Sequence, residues 1–337
     1  MPSSEKLTVY AVLGNTNNRY SFLTDSVLER LNSRYNLILH TAPGAPSPEE
    51  YNEKLRLADV CVTGWGTPAL GENALRGVTR LKLLAHTGGS VAGLASPALY
   101  DMGVKVVSGN KIYAESVAEG ALAMMLCSGR LLVGLDTAMH NGEWPKLVQN
   151  RGLFGKKIGL VGFGAIARTL CTMLKSFRAD ISAYDPFVDT EVFAQYGVEC
   201  ASLEQLFSQS DIISLHLAGT DDTNGVITRA LLQSIKKGAL FVNTARANTV
   251  DEAALIDELK TGRFSAAIDV YHSEPLSAQS ELRRLPNVLL TPHCAGPTFE
   301  LREVVSHALI DDVERFYAGE PLMYEIGRGY ALKMSTK

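Results

Sequence analysis

The sequence predicts an α/β protein made of two doubly wound parallel-sheet domains. Three observations carry this. Short apolar runs recur along the whole chain, with stretches of helical periodicity between them. Many of these runs end in glycine or polar residues, as strand tips at the carboxyl edge of a parallel sheet do. One strand–helix–strand unit, residues 156–186, carries glycines at its first turn and an acid at its second strand tip. At 337 residues, 46% hydrophobic and 20% charged, the chain has room for two cores.

In chain order, residues 7–13 (LTVYAVL) read as a first strand, 22–33 as a helix and 35–39 as a second strand. Ser47 is placed to cap a helix, with Glu49 and Glu50 in its first turn. Residues 58–63 are a third strand ending at Gly64-Trp65-Gly66. Residues 81–85 are a fourth, running into His86-Thr87-Gly88-Gly89-Ser90, and 104–107 a fifth. Trp65, Lys111 and Tyr113 stand at positions equally suited to lining a cleft and to ordinary packing. A long apolar helix is expected at 114–131. After the 156–186 unit, strands are expected at 211–217, 240–243, 265–270 and 288–290, and a last helix at 298–317. The tail from Gly319 is too short for a domain and is expected to pack back on the first one. The resulting division is a discontinuous substrate domain, 1–113 with 298–337, and an inserted nucleotide-binding domain, 114–297. Two crossings between them would act as a hinge.

Within 156–186, Ile158, Leu160 and Val161 form a buried strand. Gly162 permits a tight turn, and Gly164 lets backbone approach a pyrophosphate. Phe163 lies between them. Ala165 and Ile166 open a helix whose N-terminal N–H groups suit phosphate, and Ala167 keeps that helix close to the sheet. Asp185, before Pro186, stands where a carboxylate accepts both hydroxyls of an adenosine ribose. An acid there repels a 2′-phosphate, and no arginine follows it through Asp189, so NAD is favoured over NADP. Taken alone, the glycines fit an ordinary turn; the combination points to a dinucleotide.

Three charged residues fall at later strand tips: Arg246, Glu274 and His293. A guanidinium fork grips a carboxylate or keto oxygen. An imidazole exchanges a proton with a carbonyl or alcohol, and a neighbouring carboxylate favours its charged form. The set suits hydride transfer between a nicotinamide and a 2-oxo/2-hydroxy acid. Singly, each residue fits a structural role equally well.

The segments SVAEGALAMML (116–126), KKIGLVGFGAIA (156–167), DIISLHLAGTDDTNGVI (211–227), FVNTARANTVDEAAL (241–255), AIDVYHSEPL (267–276) and VLLTPHCAGPT (288–298) together resemble the D-isomer-specific 2-hydroxyacid dehydrogenases. That group includes phosphoglycerate dehydrogenases, glyoxylate and hydroxypyruvate reductases, D-lactate dehydrogenases and formate dehydrogenases. The resemblance implies a Rossmann-type NAD domain inserted into a flavodoxin-like substrate domain. It implies Arg246 as the substrate-binding arginine, Glu274 as its carboxylate partner in the site, and His293 as acid–base. Asp269 would meet the nicotinamide carboxamide. Residues 163–166 would meet the pyrophosphate, and His216, Leu217 and Thr223 would wall the adenosine. Thr244 and Ala245 would line the nicotinamide side, with Ala295 and Gly296 after the histidine. The loop of His86, Gly88, Gly89 and Ser90 would hold the substrate carboxylate. A cytoplasmic homodimer, joined through the long helix and the 135–155 segment, is also implied.

The sequence departs from the family pattern in places. The loop reads Gly88-Gly89-Ser90-Val91-Ala92, without the usual acid, and His86 stands where phosphoglycerate-type members often carry arginine. This points away from 3-phosphoglycerate and towards small 2-oxo acids. Ala247 and Ala218 replace a usual glycine and proline.

Other readings are constrained by composition. A net charge of −4 gives no basic footprint for nucleic acid. Cys61, Cys127, Cys171, Cys200 and Cys294 are scattered, which fits a reducing compartment. The first ten residues carry no h-region, no apolar run has membrane-spanning length, and no metal motif is present, so no membrane or metal partner is expected. Gly88 to Ala92 nearly spells a hydrolase elbow, but the closing glycine is absent and that reading leaves residues 156–185 without a role. An NAD-binding regulatory or corepressor-like scaffold without turnover and a formate- or phosphite-type dehydrogenase are the remaining alternatives.

Overall fold

The computed structural model describes residues 6–334, the side chains of 16–18 excepted. Residues 1–5 of the stretch read for an h-region, and 335–337 of the tail, lie outside the described residues. The chain divides into two compact units, one running to Tyr113 and resuming at Pro297, the other Ala114–Gly296.

The first unit holds a five-stranded parallel sheet of β1 (Thr8–Val12), β2 (Asn36–Leu39), β3 (Val60–Thr63), β4 (Leu83–His86) and β5 (Lys105–Ser108). Its order, β2-β1-β3-β4-β5, is the flavodoxin-like one. Every residue of β3 and β4 is buried, as expected of central strands covered on both faces. On one face Tyr10, Cys61, Leu84 and Val106 pack with Tyr51 and Leu99. On the other, Val62 and Ala85 meet Val27 and Leu31 of helix Asp25–Arg34, and Leu309 and Val313 of helix Phe299–Ala318. The region expected to be one helix at 22–33 is two, Thr16–Phe22 and Asp25–Arg34. The break falls where the Thr24 hydroxyl takes the Val27 N–H as an N-cap. Ser47 caps helix Pro48–Leu57 as its position predicts. The tail is tied down by Ile326 N–H to Val106 O (2.8 Å), and by fully buried Asp312, which accepts N–H bonds from Met323 and Tyr324.

The second unit holds seven parallel strands: β6 (Lys157–Val161), β7 (Asp180–Tyr184), β8 (Glu199–Cys200), β9 (Ile212–Leu215), β10 (Leu240–Asn243), β11 (Ser265–Ile268) and β12 (Val288–Leu290). Their order is β12-β11-β10-β9-β6-β7-β8, so the chain reverses direction across the sheet between β6 and β9. That switch point is where a doubly wound sheet opens a ligand crevice. Ala167, Leu170, Cys171 and Leu174 are the buried stripe of helix Ala165–Leu174. β9 and β11 end earlier than the apolar runs implied, which places His216 and Asp269 in the loops just past their tips. The long helix is Tyr113–Gly129, shorter than 114–131. A β-carbon at Gly129 would lie 3.0 Å from Arg151 O, and Leu131 turns left-handed at φ 58°, starting a separate helix, Leu132–His140.

Candidate active site

At the switch point, Gly162 has φ +91° and donates its N–H to Tyr184 O at 2.7 Å. A β-carbon there would lie 2.8 Å from His216 O, so two loops meet at a distance only glycine allows. Gly164 is the N-cap of helix Ala165–Leu174, with no side-chain cap. A β-carbon on Gly164 would meet nothing within 4 Å, so the helix N-terminus, with exposed Ala165 and half-buried Ile166, faces open space. Free N–H groups at the positive end of a helix suit an anion.

Asp185 closes this turn from the side. Its carboxylate accepts the Phe163 N–H at 2.8 Å and the Phe187 N–H, beyond Pro186, at 3.0 Å. Phe163 is buried and stacks on Phe193 with centroids 4.8 Å apart. Asp185 thus joins the turns after β6 and β7 and still has lone pairs for further donors. Past β9, His216 Nε2 is buried without a hydrogen-bond partner among the described residues, and burial pushes its imidazole pKa down to about 4. Leu217 is half-buried beside it, and the Thr223 hydroxyl donates to Ala218 O at 2.6 Å, closing the 218–223 turn. After β10, Thr244 Oγ1 is likewise buried and without a partner among the described residues, next to buried Ala245. Unpartnered buried polar atoms and an open helix N-terminus at the carboxyl edge of this sheet fit a polar, phosphate-bearing group such as a dinucleotide.

The three charged residues also fall within this unit. His293 Nδ1 is 2.8 Å from Glu274 Oε2, with the two side chains 43% and 38% exposed. A carboxylate only accepts, so Nδ1 carries the hydrogen, and Nε2, which bonds no other described residue, is left to exchange a proton. Glu274 is fixed by its other oxygen, which accepts the Tyr271 N–H at 3.0 Å. Arg246 lies past β10, its NH1 donating to Ala245 O at 2.7 Å. Burial lowers its pKa, and the Glu274 charge opposes that shift, so the guanidinium and the carboxylate share one electrostatic neighbourhood. A β-carbon at Gly219 would fall 2.8 Å from Arg246 Cγ, so this glycine clears the path of the arginine stem.

The loop bearing His293 is anchored from below. Asp269 is 1% exposed and accepts three bonds from it: Thr291 Oγ1–H at 2.6 Å, Cys294 N–H at 2.9 Å and Ala295 N–H at 2.9 Å. His293 itself takes φ +51°, a conformation uncommon outside glycine and one a surrounding loop must hold. Gly296 O accepts the Ser116 hydroxyl at 2.8 Å. The sequence reading placed Asp269 toward a nicotinamide. Its three bonds to the loop, and the parts played by Thr291, Tyr271 and Gly219, were not legible there, since the only signals were single polar residues and a glycine between strands.

In the first unit, the loop after β4 does not present His86 as an open side chain. His86 is 4% exposed, its Nδ1 is 3.0 Å from Thr63 Oγ1, and burial pushes its pKa down to about 4. The imidazole therefore lies neutral beneath the loop. Gly88 passes directly over it, Gly89 O accepts the Ser108 hydroxyl at 3.0 Å, and Ser90 Oγ accepts the Ala92 N–H at 3.2 Å.

Residues 122–295 match the family described as D-isomer specific 2-hydroxyacid dehydrogenase, NAD binding domain. A D-3-phosphoglycerate dehydrogenase of Archaeoglobus fulgidus is 34% identical over 253 residues, 74% of this chain and 47% of the relative. The chain thus spans about half the length of such relatives. A glyoxylate reductase of Thermococcus litoralis is 30% identical over 88% of this chain and 92% of its own. Among solved structures, an acyclic imino acid reductase in complex with NADPH and D-Arg superposes with a TM-score of 0.81 at 25% identity, covering 95% of this chain and 100% of the other.

Proposed function

The chain belongs to the D-isomer-specific 2-hydroxyacid dehydrogenase family, and on that premise we propose that it moves a hydride between NAD(H) and a small 2-oxo or D-2-hydroxy acid. The observation that carries this reading is the 2.8 Å contact of His293 Nδ1 with Glu274, with Nε2 left unpaired among the described residues. When bound, a nicotinamide supplies or accepts the hydride. His293 Nε2 gives its proton to the carbonyl oxygen in reduction and takes one from the alcohol in oxidation. Glu274 holds the Nδ1–H tautomer and so turns Nε2 toward the substrate. Arg246 grips the acid and polarises the carbonyl, its attraction for an anion being less screened there than in bulk water. In the first unit, the Gly88, Gly89 and Ser90 loop contributes backbone N–H groups to the substrate carboxylate, with His86 beneath it.

Gly162, Phe163, Gly164, Ala165 and Ile166 would hold the pyrophosphate, and Asp185 with Pro186 the adenosine ribose. His216, Leu217, Thr223, Thr244, Ala245, Asp269, Ala295 and Gly296 would line the rest of the cofactor path. The Asp185 carboxylate supports NAD over NADP, because a 2′-phosphate would bring like charge against it. A neutral His86 offers no counter-charge to a phosphate dianion, which supports glyoxylate, hydroxypyruvate or pyruvate over 3-phosphoglycerate. The exposed apolar side chains Trp144, Leu147 and Phe154 support a homodimer through the long helix and the 135–155 segment. The free cysteines support a reducing, cytoplasmic setting.

The test is absorbance of NADH and NADPH with the purified protein and a panel of 2-oxo acids. Oxidation of NADH by at least one of them is expected. NADH binding without turnover on any acid would overturn the enzymatic reading in favour of a scaffold.

A further inference from the structure

One residue of the second unit touches both halves of the histidine–glutamate pair. Tyr271 lies just past β11, buried in the cluster that holds Phe264, Ile268 and Leu282. Its backbone N–H is the one that Glu274 Oε1 accepts at 3.0 Å. Its hydroxyl meets two carbonyls, Thr291 O at 2.7 Å and Ile268 O at 3.0 Å. A carbonyl only accepts, so the phenol donates, and its single hydrogen goes to the nearer oxygen, that of Thr291. Burial, with the charge of Asp269, pushes the phenol pKa up to about 12, so that hydrogen stays in place at neutral pH. A phenylalanine would fill the same apolar space; the hydroxyl adds a bond to the histidine loop.

Thr291 O has a second donor, the His293 N–H, at 3.1 Å across Pro292. This bond closes the turn in which His293 takes φ +51°. The hydrogen bonds therefore form a closed circuit. It runs from the Tyr271 N–H to Glu274, and from the other Glu274 oxygen to His293 Nδ1 at 2.8 Å. It continues from the His293 N–H to Thr291 O and returns to the Tyr271 hydroxyl. The imidazole is held through Glu274 and the histidine backbone through Thr291, and both supports end on Tyr271. We propose that Tyr271 is a positioning residue for the His293–Glu274 pair, fixing the carboxylate with its N–H and the histidine turn with its hydroxyl. This rests on the acid–base reading of His293 given above. Asp269 anchors the loop at Thr291, Cys294 and Ala295, whereas Tyr271 ties the loop to the carboxylate.

Tyr271→Phe keeps the ring and the backbone N–H and removes only the hydroxyl. Ile268 O still accepts the Thr291 N–H, and Thr291 O the His293 N–H, so neither carbonyl is stranded and the unit is expected to fold. With the 2-oxo acid turned over fastest by the parent, kcat is expected to fall about tenfold, short of the ~100-fold that a misplacement of about 1 Å can cause. The solvent deuterium isotope effect on kcat is expected to rise, because proton transfer from a looser imidazole slows relative to the other steps. A fall in kcat with an unchanged isotope effect would mean loss of folded enzyme alone and overturns the positioning role, as does an unchanged kcat.

A second measurement needs no turnover and separates this role from the hydride-transfer reading. In protein carrying 15N-labelled histidine, the ring nitrogen shifts of His293, assigned by their loss in His293→Gln, report which nitrogen bears the hydrogen. The neutral ring of the parent is expected in the Nδ1–H form, set by Glu274. In Tyr271→Phe the ring leaves the carboxylate part of the time and is no longer held to that form, so the Nδ1–H share is expected to fall. An equal share in the two proteins overturns the positioning role. If the parent turns over no 2-oxo acid but the share falls in the variant, the hydride-transfer reading fails and the positioning role stands.

Discussion

Asp269→Asn isolates what holds the histidine loop. The carboxylate uses two oxygens for three donors: Oδ1 takes Thr291 Oγ1–H and Cys294 N–H, and Oδ2 takes Ala295 N–H. An asparagine has one oxygen. Its better orientation keeps the two bonds at Oδ1 and turns an NH2 group against the Ala295 N–H. Two donors then face each other in a site 1% exposed. A hydrogen bond to a charged acceptor contributes about 1.5–3 kcal/mol, and a stranded buried donor costs about 1–3 kcal/mol. These overlap in one substitution, so a loss of about 3 kcal/mol is expected. For a unit of this size, each kcal/mol moves Tm by about 2–4 °C, so its transition should fall by about 6–12 °C. Thermal unfolding followed by circular dichroism reads this directly. Thr291→Val removes one of the three bonds, for about 1.5–3 kcal/mol, and should cost less when Asp269 is already asparagine, whose amide oxygen is a neutral acceptor. A fall of less than about 2 °C in Asp269→Asn, or strict additivity with Thr291→Val, would show that the carboxylate does not anchor the loop.

The remaining expectations concern charge and protons. His293→Ala should lower kcat by about 10²–10⁴-fold while NADH affinity, read by protein-to-NADH energy transfer, changes little; equal loss in both would remove the acid–base role. Asp185→Asn keeps an oxygen for one of the two turn amides and removes the charge, so the NAD-to-NADP ratio of kcat/KM should drop at least about tenfold; an unmoved ratio would place the ribose elsewhere. Burial pushes His86 from 6.5 down to about 4. As pH falls through that window, the unfolded chain takes a proton that the folded chain refuses. Stability is therefore fully present above about pH 6.5 and should be about 2 kcal/mol lower by pH 5. Urea unfolding of the parent and of His86→Gln measures this, and identical slopes would mean His86 is not held neutral.

Several features of the site could be read from the chain alone because they are set by near neighbours. Gly162 and Gly164 flanking Phe163, the helical stripe from Ala167 to Leu174, and Asp185 at a strand tip are separated by few residues and governed by turn sterics and helical period. The same holds for the cap at Ser47. The βα alternation gave both parallel sheets. It gave helix ends less well: the helix stops at Gly129, before left-handed Leu131, and the Gly129 carbonyl accepts the N–H of Arg151, distant in sequence, at 2.7 Å.

The tertiary structure decided everything that depends on two distant segments meeting. The sequence alone set out an alternation of strands and helices, a glycine turn, and an inventory of arginine, glutamate and histidine at strand tips. It did not say that Glu274 meets His293 at Nδ1, that Asp269 is bound three times by the loop after β12, or that His86 lies under Gly88 rather than open to solvent. Local pattern records the sterics and hydropathy of a residue and its near neighbours, whereas burial and pairing of a polar side chain depend on which other strand tips the sheet order brings beside it.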